Sequence, residues 1–179
     1  MYFAVNFSVY QQSTSNKATM TPIISVVGKS KSGKTTLIEK LIPELKKRGY
    51  RIGTIKHAYH GSDIDKKGKD SWRHTAAGAD AVLVASPGKI ALIKNDNYEN
   101  IDHLAKHFQD MDIVITEGFK RENKPKIEIF RTAAHKEPLC RDNSDLIALV
   151  TDADIDLKVP RFGLEDIEKL ADFIENKYL

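Results

Sequence analysis

The chain has 179 residues, 41% of them hydrophobic and 30% charged, which suits one globular domain with a packed core and is too short for two full domains. Its 28 basic and 25 acidic side chains leave a formal charge of +3, too mild an excess to imply a nucleic-acid partner. A single cysteine, Cys140, excludes an internal disulfide and a multi-cysteine zinc site. No run reaches the roughly 18 apolar residues needed to cross a bilayer. We expect a soluble, cytoplasmic protein with no membrane partner.

Residues 1–20 are rich in Ser, Thr, Asn and Gln around Tyr2, Phe3, Phe7 and Tyr10, without the basic start and long apolar core of a signal peptide. We read them as a disordered extension, or as an upstream start ahead of Met20, and residues 21–179 as the single domain. Ile23, Ile24, Val26 and Val27 form a short continuous apolar run, the pattern of a strand buried on both faces of a parallel sheet. Leu37, Ile38, Leu41, Ile42 and Leu45 then repeat at helical spacing, closed by Lys46, Lys47, Arg48 and Gly49. Pro43 is expected to kink this helix or weaken its last turns. Further strands are expected at 51–56, 81–85, 90–93, 113–116, 126–130 and 145–150. Asp70 or Ser71 is placed to cap a helix running toward Ala77. Ile101, Leu104, Ala105 and Phe108 form a second amphipathic stripe, and Ile167, Leu170, Ala171 and Ile174 form the core face of a last helix. This alternation predicts an α/β fold with a mostly parallel sheet flanked by crossover helices.

Between the first strand and the first helix stands Gly28-Lys29-Ser30-Lys31-Ser32-Gly33-Lys34-Thr35. Gly28 and Gly33 permit backbone conformations and close approaches that let successive N–H groups converge on phosphate oxygens. The helix starting near Lys34 adds the positive end of its dipole. Lys34 can bridge β- and γ-phosphates, the Thr35 hydroxyl is placed for magnesium, and Thr36 for the α-phosphate. Lys29 and Lys31 either join these contacts or face solvent. The strand leading in and the helix leading out supply the context that this motif demands, so the fold expected is that of P-loop nucleotide-binding proteins.

A triphosphate site also needs a carboxylate that holds magnesium. Asp112-Ile-Val-Ile-Thr-Glu117-Gly118 offers Glu117 at the end of its strand, while Asp112, at the opposite end, is expected to cap. After the second strand, His57-Ala-Tyr-His60-Gly-Ser-Asp63-Ile-Asp65-Lys-Lys-Gly68-Lys-Asp70-Ser-Trp-Arg73-His74 is dense in charge. In open parallel sheets such loops face the ligand crevice at the carboxyl ends of the strands.

Taken together, the phosphate loop, Thr54-Ile-Lys-His57, Asp63 to His74, Ala77-Gly78-Ala79, and Glu117-Gly-Phe119-Lys120 followed by Lys124-Pro-Lys126-Ile-Glu128 resemble the molybdopterin-guanine dinucleotide biosynthesis protein B (MobB) family, from about Pro22 to the C-terminus. The resemblance implies a cytoplasmic homodimer that binds GTP with Mg2+. It also implies an adaptor that assists the guanylyltransferase attaching GMP to molybdopterin and hydrolyses GTP weakly at most. By the same resemblance Asp65 and Glu117 help Thr35 hold magnesium. Arg73, Lys120 and Lys126 become candidates for an anionic pterin phosphate or the partner's substrate.

One feature departs from guanine-selective GTPases, which use an Asn-Lys-x-Asp segment after a late strand. Here that strand ends Leu149-Val-Thr151-Asp152-Ala-Asp154, leaving Asp152 as a candidate base contact without the asparagine or lysine. The main alternative is a phosphate-loop kinase or ATP-dependent ligase of the dethiobiotin synthetase type, with Asp63 or Asp65 positioning an acceptor. Against it, the only basic cluster after Glu117 is Lys120-Arg121 with Lys124 and Lys126.

Overall fold

All five residues of the first strand, β1 (Ile23–Val27), are buried, as a strand covered on both faces must be. In the computed structural model, which describes residues 20–58, 65–98 and 100–179, β1 lies inside a six-stranded sheet. Its other members are β2 (Ile52–Lys56), β5 (Ile113–Glu117), β6 (Lys126–Phe130), β7 (Leu146–Thr151) and β8 (Arg161–Phe162). Their order is β2-β5-β1-β6-β7-β8, and every pairing is parallel. The predicted parallel α/β architecture is therefore observed. The short edge strand β8 has no apolar run to announce it. Apart from Met20, the extension expected over 1–20 lies outside the described residues.

Four α-helices accompany this sheet among the described residues: α1 (Lys34–Lys47), α2 (Asp70–Ala76), α3 (Ile101–Ala105) and α4 (Ile167–Tyr178). Leu37, Leu41 and Leu45 of α1 and Leu170, Ala171 and Ile174 of α4 cover one face of the sheet, against Ile24, Val26, Ile115, Ile127 and Val150. Ile101 and Ala105 of α3 and Phe119 cover Ile23 and Val114 on the other. Alternate residues of β1 and β5 thus enter opposite cores, which is why both strands read as unbroken apolar runs. Arg48 ties α1 to α4 through Glu175 at 2.7 Å and Asp172 at 2.7 Å.

Three local expectations are corrected or refined. Helix α1 continues through Pro43, which lies inside it on the exposed side, to Lys47. Neither Asp70 nor Ser71 caps α2: the N-cap is Lys69, with no side-chain bond. Instead the Ser71 hydroxyl donates to Asp65 Oδ1 at 2.8 Å. Finally, the runs at 81–85 and 90–93 do not join the main sheet. They form β3 (Ala81–Ser86) and β4 (Lys89–Lys94), an antiparallel pair forming a sheet of its own. Pro87-Gly88 makes the turn, with Gly88 at φ 74°, where a left-handed glycine is needed. Asp112 caps as expected, its Oδ2 accepting from the Arg51 amide at 2.6 Å.

Candidate functional site

In a sheet whose strands all point one way, the loops leaving their carboxyl ends share one edge. β1 leads to the glycine loop, β5 to Gly118, β2 to His57, β6 to Arg131 and β7 to Asp152. The glycine loop follows the most buried strand and so is held from below. A Cβ on Gly28, at φ 150°, would lie 2.5 Å from the Ile129 carbonyl oxygen and 2.7 Å from Ser32 Oγ. Nothing larger than glycine fits without displacing backbone. Ser32 is fully buried beneath the loop, whereas Ser30 and Lys31 are exposed and Lys29 half-buried. Gly33 at φ 102° starts α1, and Leu37 N donates to its carbonyl at 2.9 Å.

Lys34 curls back over the loop, its Nζ donating to Gly28 O at 3.1 Å and Lys29 O at 2.9 Å. A phosphate oxygen offers the same ammonium a charged acceptor in place of two neutral carbonyls. Burial pushes Lys34 below the usual lysine range; Glu117 opposes the shift, and Lys56 and Lys120 add to it. Lys34 on the loop and Lys56, whose Nζ lies 3.4 Å from Glu117 Oε2, bring positive charge to this edge, as an anion site needs. No described contact ties Lys120 to the loop.

Glu117 reaches this site because β5 lies between β1 and β2: it stands opposite Val26 on one side and Lys56 on the other. Its Oε2 accepts from Thr35 Oγ1 at 3.0 Å and faces Lys56 Nζ at 3.4 Å. Its carbonyl accepts from His57 N at 3.1 Å, and Gly118 N donates to Val26 O at 3.0 Å. The turn behind it holds Phe119 at φ 55°, with the His57 and Phe119 rings 5.0 Å apart.

The other sequence-derived residues divide. Thr36 is exposed on the first turn of α1, directly behind Thr35. Asp65 is half-buried; beyond the Ser71 bond, its Oδ2 is buried with no hydrogen-bond partner. No described contact ties it to Thr35 or Glu117. Asp63 and His60 lie outside the described residues. Arg73 is exposed on α2, 3.8 Å from Asp70, and no described contact links it to the loop. Lys126 is not available to a ligand: it is 1% exposed, and its ammonium binds Asp145 at 2.9 Å, Glu122 O at 2.6 Å and Lys124 O at 3.1 Å. The Asp152 carboxylate accepts from the Thr132 amide at 2.9 Å, which holds it below the usual carboxylate range.

Two neighbours of the loop escaped the sequence reading. Lys56 stands in the sequence only as a member of Thr54-Ile-Lys-His57 with no role assigned, and its partner Glu117 is distant in sequence. His135, after β6, places Nε2 2.7 Å from Ser30 O, a contact that no spacing rule could anticipate.

Comparison with known proteins points to one family. The family model for molybdopterin guanine dinucleotide synthesis protein B (MobB) matches residues 23–152. A molybdopterin-guanine dinucleotide biosynthesis adapter protein of Haemophilus influenzae is 39% identical over 158 residues, covering 87% of this chain and 88% of the relative. Its Escherichia coli counterpart is 40% identical over 162 residues, covering 87% and 93%. A crystal structure of molybdopterin-guanine biosynthesis protein B superposes with a TM-score of 0.70 at 32% identity, over 86% of this chain and 97% of that one. Bacillus subtilis MobB superposes at 0.69 and 29% identity, over 88% and 98%. The fold is P-loop NTPase-like, and the chain belongs to the molybdopterin guanine dinucleotide synthesis protein B (MobB) family.

Proposed function

We propose that this protein is a GTP-binding adaptor in molybdenum cofactor biosynthesis, assisting a guanylyltransferase that attaches GMP to molybdopterin. The observation that carries the nucleotide reading is the contact of Thr35 Oγ1 with Glu117 Oε2 at 3.0 Å beside a lysine-capped glycine loop. A hydroxyl and a carboxylate sharing one point are the hard oxygen donors magnesium takes, and it draws its other ligands from phosphate and water. Magnesium there would neutralise β- and γ-phosphate oxygens. Thr35 and Glu117 would hold the ion, with Asp65 joining as its buried, unpaired Oδ2 allows. Gly28 to Thr36 cradle the phosphates, and Lys34 and Lys120 balance their charge. Arg73, out on α2, is assigned to the partner or its pterin substrate rather than to the nucleotide.

The adaptor role rests on family membership, and the curated relatives carry that name; none of those compared is named a kinase or ligase. Weak GTP turnover at most belongs to the same family-based reading. For the homodimer, the supporting feature is the hairpin β3–β4. Leu83, Leu92, Ala85 and Ile90 share one of its faces by register, and Leu83, Ile90 and Leu92 are 58%, 73% and 51% exposed. A two-stranded sheet is marginal alone, and a second copy can cover this face and pair with an open edge. The buried single cysteine suits a reducing cytoplasm.

Titration calorimetry with GTP and with ATP, each with and without magnesium, tests the nucleotide. Saturable binding that prefers GTP and strengthens with magnesium is expected; equal binding of both nucleotides would remove the guanine assignment. Co-purification with a guanylyltransferase in a nucleotide-dependent manner tests the adaptor role.

A further inference from the structure

We propose that His135 is a positioning residue of the phosphate loop, fixing the Ser30–Lys31 peptide so that the Lys31 N–H is presented to a bound phosphate. Ser30 O can only accept, so the 2.7 Å contact requires His135 Nε2 to donate. In a trans peptide the C=O and the following N–H point in opposite directions. A grip on the Ser30 carbonyl therefore also fixes the direction of the Lys31 N–H, and the proposal is that this direction is toward the cradle. Lys31 adopts φ 63°, a left-handed conformation unfavourable for a residue with a side chain. A loop that must hold such a residue before any ligand arrives needs an external restraint, and this imidazole is placed to supply it.

The restraint is itself anchored. The turn after β6 folds back on Arg131, whose carbonyl accepts from Ala134 N at 3.1 Å and His135 N at 3.0 Å. Thr132 N donates to Asp152 Oδ1 at 2.9 Å, tying the turn to the end of β7. Arg131 also lies against the loop, its Cδ 3.9 Å from where a Gly33 Cβ would stand. Asp152, read from sequence as a base contact, thus has a described role in holding the turn that carries His135. The chain of contacts runs from Asp152 through Thr132 to His135 and Ser30, joining strands β7 and β6 to the loop after β1.

The proposal rests on the reading of 28–36 as a phosphate site, and the experiments separate the two. Without any ligand, nitrogen-15 NMR of the imidazole should show His135 with Nε2 protonated, and His135→Ala should move the Lys31 amide resonance more than those of Leu37 or Ile38. With ligand, His135→Ala should weaken GTP and GDP binding about fivefold each, the scale of one net hydrogen bond, with an unchanged melting temperature. His135→Gln, which keeps a donor, should recover most of that affinity. An Nε2-acceptor tautomer, an unmoved Lys31 amide, or wild-type affinity in His135→Ala would overturn the proposal. Should His135→Ala not fold, the tautomer and the His135→Gln affinity still decide it. If wild type binds no nucleotide while the tautomer and Lys31 shift are as expected, the phosphate reading fails and the positioning contact stands.

Discussion

The main sheet and the hairpin are built from the same kinds of residue and meet opposite fates. β5 reads Ile113-Val-Ile-Thr-Glu117 with its first four residues buried, whereas β4 reads Lys89-Ile-Ala-Leu-Ile-Lys94 with five of six exposed. The difference is cover: helices α1 and α4 lie over one face of the main sheet and α3 over the other, while the hairpin packs little beyond Val82. Apolar content therefore does not locate a core. It marks surface that gains from cover, and among the described residues little covers this face of the hairpin. The candidate phosphate site stands on the covered region, and the exposed apolar face on the open one.

The sharpest break of this comparison uses one residue type in both places. Ile115 is 1% exposed and Ile90 73%. Ile115→Ala should cost roughly 2–5 kcal/mol in denaturant unfolding, and Ile90→Ala no more than about 0.5 kcal/mol in the monomer. A matching loss at Ile90 at low protein concentration would mean that the hairpin belongs to the core after all. Charging the same face with Leu92→Lys should shift the protein to monomer in sedimentation while leaving its GTP affinity intact; an unchanged dimer would put the interface elsewhere.

A smaller effect probes the covered region alone. Lys34→Ala should weaken GTP at least tenfold, about 1.4 kcal/mol, with little loss of stability, because its ammonium binds only loop carbonyls. Equal calorimetric affinity of variant and wild type would sink the phosphate-loop assignment. Glu117→Gln should reduce the magnesium dependence of binding more than the binding itself, since the amide keeps a partner for Thr35 while losing the charge.

What was legible in the sequence follows the same division. β1, α1 and the loop between them could be read because strand, glycine spacing and helix are contiguous, and each leaves a local pattern. Glu117 could be read because a strand-end carboxylate before glycine is itself a short signal. The hairpin's separation from the sheet was not read, although Pro87-Gly88 between two apolar runs marks a tight turn; alternation alone made every run a member of one sheet. Lys126 was misjudged because charge on a strand suggests exposure, whereas Asp145 and two carbonyls make its burial affordable. His135 and Lys56 owe their place to strand order, which brings β6 and β2 to the loop's edge and leaves no mark in local spacing.

The segment after β6 tests where the covered region ends, since it is loop by secondary structure yet buried in part. Glu128, 1% exposed, accepts from Leu139 N at 2.5 Å and Cys140 N at 2.8 Å, and Cys140 packs on Val27 directly under the phosphate loop. Burial, with Glu128 beside it, pushes the Cys140 thiol up to about 11 from about 9. With the folded pKa raised, the folded state keeps its proton between those values while the unfolded chain gives it up. Stability is thus full below about pH 9 and lost as pH rises toward about 11, by roughly 1 kcal/mol at pH 10. Unfolding curves at pH 7 and pH 10 should show a smaller drop for Cys140→Ala than for wild type. Thiol labelling of the folded protein at pH 8 should also be slow until denaturant is added. Equal drops and fast labelling would place Cys140 with the hairpin, on the open side of the comparison, and would remove the support that this segment lends to Val27 and the loop above it.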